Sequence, residues 1–343
     1  MIQQALYTVE EVSAMILEGK KLLLAGDDKL LSQLPKGDWI GGTTPYFILY
    51  PEQRIESSKK LFVCCLPDFI EKIEIREYDS SGIKNIYSDA PQNGFTVLII
   101  PIKSPVHSEY SMNVPDYKDF ARYPVCGWIS IQHANYQGVK QAYACSGLSG
   151  ILYSDKAVAM HISLPENKYA EMHMINPLEQ GGGDVITFNC RGRFVKEVMI
   201  NGLKQNFAEY LRKLNLDNQV DFCNVPLVAN YSGAMANTHC MRILEDDTVE
   251  LLSSVFEQIE YRFAQKRTSF AKPDITHEEV VFSVTCGTHF VWPETLDSKF
   301  TEVVNGPAAG GEIAYQLFGQ SIVYITIGDV TQDWKRQLLM VNC

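Results

Sequence analysis

The 343-residue chain has no apolar run long enough to cross a bilayer. Its longest strongly apolar stretch is Phe95–Ile102, which already contains Pro101, and a spanning helix needs about 20 such residues. It has no basic excess either: 30 Lys and Arg stand against 41 Asp and Glu, a net charge of −11. Nucleic acid and anionic membrane both need the opposite balance, so neither is an expected partner. The first twenty-one residues lack the basic start, apolar core and small-residue cleavage site of a secretory signal, which predicts a cytoplasmic protein. Cysteine is present without order: nine residues, irregular spacings and no C-x-x-C. That pattern predicts reduced thiols and not a disulfide framework, with Cys64, Cys65, Cys190, Cys223 and Cys286 buried beside apolar strands. The phosphate loop G-x-x-x-x-G-K-[ST], the dinucleotide turn G-x-G-x-x-G and the nucleophile elbow G-x-S-x-G are all missing. His277-Glu278-Glu279 opens like a zinc-protease helix, but Val281 stands where the second imidazole is needed, so no metal is expected.

What is there is an ordinary globular composition, 46% hydrophobic and 21% charged, on a length that suggests about two domains. The weakest point is Leu164–Lys168, which divides the chain into 1–165 and 166–343. Thr8 with Glu11 forms a capping box ahead of a first helix. Continuous apolar runs at Leu22–Ala25, Leu61–Leu66, Phe95–Ile102 and Ala157–Ser163 predict buried strands. The polar stretch Ser80–Gly94 reads as a surface loop. Helical spacing predicts helices over Asp116–Ala121, Asn201–Leu214 and Gly311–Gly319. Strands outnumber helices, so the expected class is α/β (mixed α+β): two related halves, mixed sheets, helices on the outer faces.

Three features carry chemistry. Arg191 and Arg193 flank Gly192 and would face one way on a strand, as an anion clamp or a solvated pair. Cys286-Gly287-Thr288-His289 places a thiol near an imidazole; with Glu312 these residues suggest a hydrolase or acyl-transfer enzyme, or else plain burial. Gly310-Gly311-Glu312 puts a carboxylate in the first turn of an expected helix, where it either caps the helix for about 0.3–1 kcal/mol or meets a ligand. Trp39-Ile40-Gly41-Gly42-Thr43-Thr44 is a strand entering a glycine turn. The expected ligand site joins these two glycine turns: Gly41, Gly42, Thr43, Thr44 and Tyr46 with Gly310, Gly311, Glu312 and Tyr315, and Asn230 and Asn237 adding amides.

The segments Asp38–Thr44, Val281–Cys286 and Gly306–Tyr315 with Ser321–Ile327 carry a resemblance to the FIST family of sensory domains. The first resembles that family's Ile/Val-Gly-Gly-Ser/Thr-Thr turn, the second its Phe-Ser-Cys strand, and the third its Gly-Glu-Ile motif and closing strand. Val284 stands where the family's cysteine would be, and the arginine that follows it there is absent. Ala157–Pro165, Pro226–Asn237 and Gly311–Leu317 are similar to a group of stand-alone bacterial proteins of this length. The resemblance implies N- and C-terminal FIST-like halves. It also implies a non-catalytic sensor for a small ligand, an amino acid among the candidates, with a protein signalling partner. Some family members bind haem, so a haem-binding gas sensor is the other implied reading.

Overall fold

The computed structural model describes residues 5–49, 53–70, 72–132, 134–135, 138–139, 141–218, 225–232, 234–267, 279–291 and 303–330. Cys223, His277 and Glu278 lie outside them. Among the described residues the fold is mixed α+β and mostly sheet.

A first sheet runs Leu6–Tyr7, Leu61–Cys65, Leu22–Gly26, Trp39–Thr43, Ala144–Ser146, Ile151–Tyr153. Only Leu22–Gly26 and Trp39–Thr43 pair in parallel there. The helix Val9–Leu17 buries Val12 and Ile16 against this sheet's Leu22, Leu24 and Trp39. Its capping box is formed in full, Thr8 and Glu11 each bonding the other's backbone N–H.

A second sheet runs Gln316–Phe318, Glu312–Ala314, Val125–Ser130, Gly94–Pro101, Ala157–Ser163, Lys72–Tyr78. A third runs Lys168–Ile175, Ile322–Asp329, Glu279–Cys286, Gly306–Ala309, Tyr46–Leu49, Gln53–Glu56. Residue 165 falls between Ala157–Ser163 and Lys168–Ile175, and both of these sheets take strands from either side of it. The three sheets meet on one apolar core that includes Phe47, Phe62, Val97, Ile99, Trp128, Met160, Phe282 and Ile325. These positions alternate along their strands, as one buried face requires.

Residues 178–266 form two further sheets around a second core, with Phe188, Phe207, Leu227, Val249 and Tyr261 at its centre. The helix Pro105–Asn113 packs on the second sheet through Val106 and Tyr110 and also touches strands Gly192–Val195 and Val249–Val255. It lies between two sheets and not on an outer face.

Several local expectations are corrected. Gly311–Gly319 is not helical: it is a hairpin of Glu312–Ala314 and Gln316–Phe318, turned at Tyr315 with φ of 61°. Asn201 and Gly202 also take positive φ and close a hairpin, so the helix there is confined to Phe207–Lys213. The helix near residue 116 lies earlier, at Pro105–Asn113. The polar stretch Ser80–Gly94 buries Ile83, Ile86 and Tyr87 completely. Cys64 and Cys286 are buried, but Cys65 is exposed and Cys190 half-buried, because Cys65 ends its strand beside solvent.

Candidate functional site

The two glycine turns meet at the end of the strand Val125–Ser130. Thr43 accepts the Ile131 N–H on its carbonyl at 2.8 Å, while Gly310 N–H donates to Ile129 O at 2.9 Å. Thr44 Oγ1 donates to Ala308 O at 2.8 Å and so ties the turns directly. Gly42 is needed for close approach: a Cβ there would stand 2.6 Å from Ile99 Cγ2 and 2.7 Å from Trp128 Nε1. The threonine hydroxyls serve backbone, since Thr43 Oγ1 also accepts from Tyr143 N at 2.9 Å.

Glu312 sits just past this junction. It lies in a strand and caps no helix, so the dipole explanation falls away. Its partner across the ladder is Trp128, and directly opposed residues share one face of a sheet. Glu312 Oε2 accepts two hydrogen bonds from Ser321, from N at 3.1 Å and from Oγ at 2.8 Å. Oε1 meets no nitrogen or oxygen partner among the described residues, and neither does Trp128 Nε1 or Thr288 Oγ1. The Cys286 thiol lies against both the Glu312 carboxyl and the Thr288 hydroxyl. All five residues are buried.

Burial without a compensating cation pushes the Glu312 carboxyl well above the usual carboxylate range. Burial, and then the neighbouring carboxyl, push the Cys286 thiol up as well. Burial thus favours the protonated form of both groups. That is the reverse of the electropositive setting that activates a cysteine. His289 is not aligned as a base for it: Nδ1 shares a 2.6 Å hydrogen bond with Thr285 Oγ1, whose hydroxyl reaches Ser321 O at 3.1 Å. Since Thr285 donates to that carbonyl, Nδ1 carries the proton and Nε2 is left as an acceptor. Burial, and then Arg54, pull this imidazole down to about 3, so it is neutral at pH 7.

The remaining expected residues lie elsewhere. Tyr46 packs its ring on Phe290, with centroids 4.7 Å apart and the planes tilted by 35°. Tyr315 belongs to the opposite side of its hairpin: its carbonyl accepts the hydroxyls of Tyr87 and Tyr110, and its ring packs on the cluster around Ile313 and Leu317. Asn230 stands in the strand Leu227–Tyr231. Asn237 exchanges two hydrogen bonds with Asn176, at 2.9 and 2.7 Å. It also lines a pocket of about 20 Å³ with Ser111, Tyr231, Ser254 and Gln316, which is room for about one water.

Arg191 and Arg193 form neither an anion clamp nor a solvated pair. Arg193 is buried against Glu250 at 3.2 Å and donates to Leu251 O, Leu252 O and Ser108 Oγ. Arg191 donates to Met112 O and pairs with Asp116 at 2.6 Å. Together they fasten the helix Pro105–Asn113 to the sheets of residues 178–266. The residues that sequence reasoning missed are Trp128 and Ser321. Trp128 sits in a run otherwise readable only as a buried strand, and no local signal places an indole N–H opposite a carboxyl.

The chain matches a family of unknown function, DUF6976, over residues 7–328 and belongs to that family. No curated protein matches it, and no solved structure matches it.

Proposed function

We propose that this is a non-catalytic small-ligand-binding protein of sensory type, with its site at the junction of the Thr43–Thr44, Gly310–Glu312, Cys286–His289 and Gln320–Ser321 turns. One observation carries the reading. Polar atoms of Glu312, Trp128 and Thr288 are buried without a nitrogen or oxygen partner among the described residues, and the first two share one face of a strand pair. A buried polar group left without a partner costs roughly 1–3 kcal/mol, so a fold tolerates several together where something else satisfies them. The protonated thiol and the diverted imidazole favour binding over an enzyme built on Cys286, His289 and Glu312. In this reading the two parts of the chain either side of residue 165 are FIST-like. The protein works in the cytoplasm, and its output passes by contact to a protein partner.

The test is native purification followed by mass spectrometry of whatever is released on denaturation, with an absorption spectrum taken first. A stoichiometric small molecule that is lost in Glu312→Leu is the expected result. A haem spectrum would support the gas-sensor reading. An empty protein whose Cys286 outpaces the exposed Cys65 in reaction with iodoacetamide would overturn the proposal in favour of the enzyme.

A further inference from the structure

We propose that Glu312 and Trp128 together grip the carbonyl oxygen of a small neutral molecule, with Glu312 acting as a hydrogen-bond donor and not as the counter-ion of an ammonium group. This rests on the ligand-site reading above and adds the chemistry of the ligand.

The assignment follows from counting lone pairs and protons. Glu312 Oε2 already accepts two hydrogen bonds from Ser321. A neutral carboxyl has one carbonyl oxygen and one hydroxyl, and the oxygen that receives two donors is the carbonyl one. The proton is therefore assigned to Oε1, the oxygen with no nitrogen or oxygen partner among the described residues. Opposite it on the same face, Trp128 Nε1 can only donate. Thr288 Oγ1 lies against the Cys286 thiol and is left out of this pair. An ammonium ligand would bring further donors toward an indole N–H that has no acceptor. A carbonyl oxygen, with two lone pairs, satisfies the indole and the carboxyl at once.

The surrounding titratable groups leave this polarity intact. Cys286, on the strand Glu279–Cys286, keeps its proton because burial raises it. His289, on the helix that follows, is pulled down to about 3. His239, which packs on Gly319 beside Gln320 and Ser321, is pulled down by burial to about 4. Each is uncharged at pH 7, and no cation among the described residues pairs with Glu312.

The experiment follows the indole N–H signals of the four tryptophans in ¹⁵N-labelled full-length protein, with Trp128→Phe assigning the relevant one. Acetamide is the neutral carbonyl probe and methylammonium the cationic one. The expected result is a saturable shift of the Trp128 signal with acetamide and none with methylammonium. Raising the pH through the carboxyl titration removes the donor, so acetamide affinity should fall about tenfold per pH unit there. This dependence should vanish in Glu312→Gln, which cannot ionise. A methylammonium response that strengthens with pH would overturn the inference while keeping the ligand reading. So would a co-purified cation whose retention needs Glu312. A Trp128 signal that exchanges only with a trapped water, undisturbed by acetamide, also overturns it. A protein that carries no molecule and answers neither probe loses both readings. If Glu312→Gln does not fold, the pH profile of the wild-type response alone decides.

Discussion

Two glutamates are buried among the described residues, and their surroundings differ in kind. Glu250 is met by two guanidinium groups, Arg193 at 3.2 Å and Arg242 at 2.6 Å, one on each oxygen. Among the described residues Glu312 is met by neutral groups: Ser321 donates twice to one oxygen, and the Cys286 thiol lies beside the carboxyl. Glu250 is a closed structural joint: its charge and both oxygens are accounted for within the chain. Glu312 keeps one oxygen without a nitrogen or oxygen partner among the described residues, and burial favours its protonated form. Burial alone therefore does not mark a functional carboxyl; what marks it is the bonding capacity left after the fold has been satisfied.

The contrast can be broken at several points. The largest effect is expected at the structural joint. Arg193→Met leaves Glu250 buried with only the half-exposed Arg242, and loss of one partner of a buried pair costs roughly 3–5 kcal/mol. A urea midpoint that barely moves would put the two glutamates on the same footing. Next comes the contact that holds the sheets around Glu312. Gly42→Ala forces a methyl group into Ile99 and Trp128, and overpacking of this kind costs about 1–3 kcal/mol. Wild-type stability in thermal melts would contradict it.

The pH dependence of unfolding sharpens the comparison further. The Glu312 carboxyl is raised in the folded chain, so above the ordinary carboxyl range the folded state holds a proton that the unfolded state has released. Stability then falls as pH rises, by about 1.4 kcal/mol per unit, until the folded carboxyl ionises. Glu312→Gln should flatten that slope in denaturation curves collected across the range. The buried histidines act in the other direction. His161 and His239 are pulled from 6.5 down to about 4 by burial, so the unfolded chain takes up their protons first. Stability should therefore also fall as pH drops below 6.5, in Glu312→Gln as in wild type. The smallest effect is a control remote from both glutamates: Thr8→Ala removes half of the capping box and should cost only about 1 kcal/mol.

Much of the strand framework was legible because burial on both faces leaves an uninterrupted apolar run. Ala157–Ser163 matches its expected limits, and Leu61–Cys65 and Gly94–Pro101 lie within one residue of theirs at each end. The Thr8–Glu11 cap was legible because its chemistry is local. Gly311–Gly319 was misread because its apolar spacing suits a helix as well as a hairpin, and the decisive datum is a left-handed tyrosine at 315. Glu312 was singled out for its glycine neighbours, yet the reason it matters is a cross-strand neighbour 184 residues earlier, Trp128. Arg193 looked like an anion ligand because nothing in its own segment announces Glu250. Local reading finds such residues; only the ladder register tells what they face.

That register also sets the order in which the protein can be built. The second sheet cannot be completed until Glu312–Phe318 exists to pair with Val125–Ser130, and the third needs Gly306–Ala309 beside Tyr46–Leu49. At ordinary synthesis rates of about 5–20 residues per second, the ribosome takes on the order of ten seconds or more between making the two partners. During that interval the strand Val125–Ser130 presents an open edge to any other chain nearby. Such long-range pairings fold slowly. The nascent chain should therefore depend on a holding chaperone until its last strands emerge, and a truncation before Gly306 should yield aggregate and not a smaller folded protein.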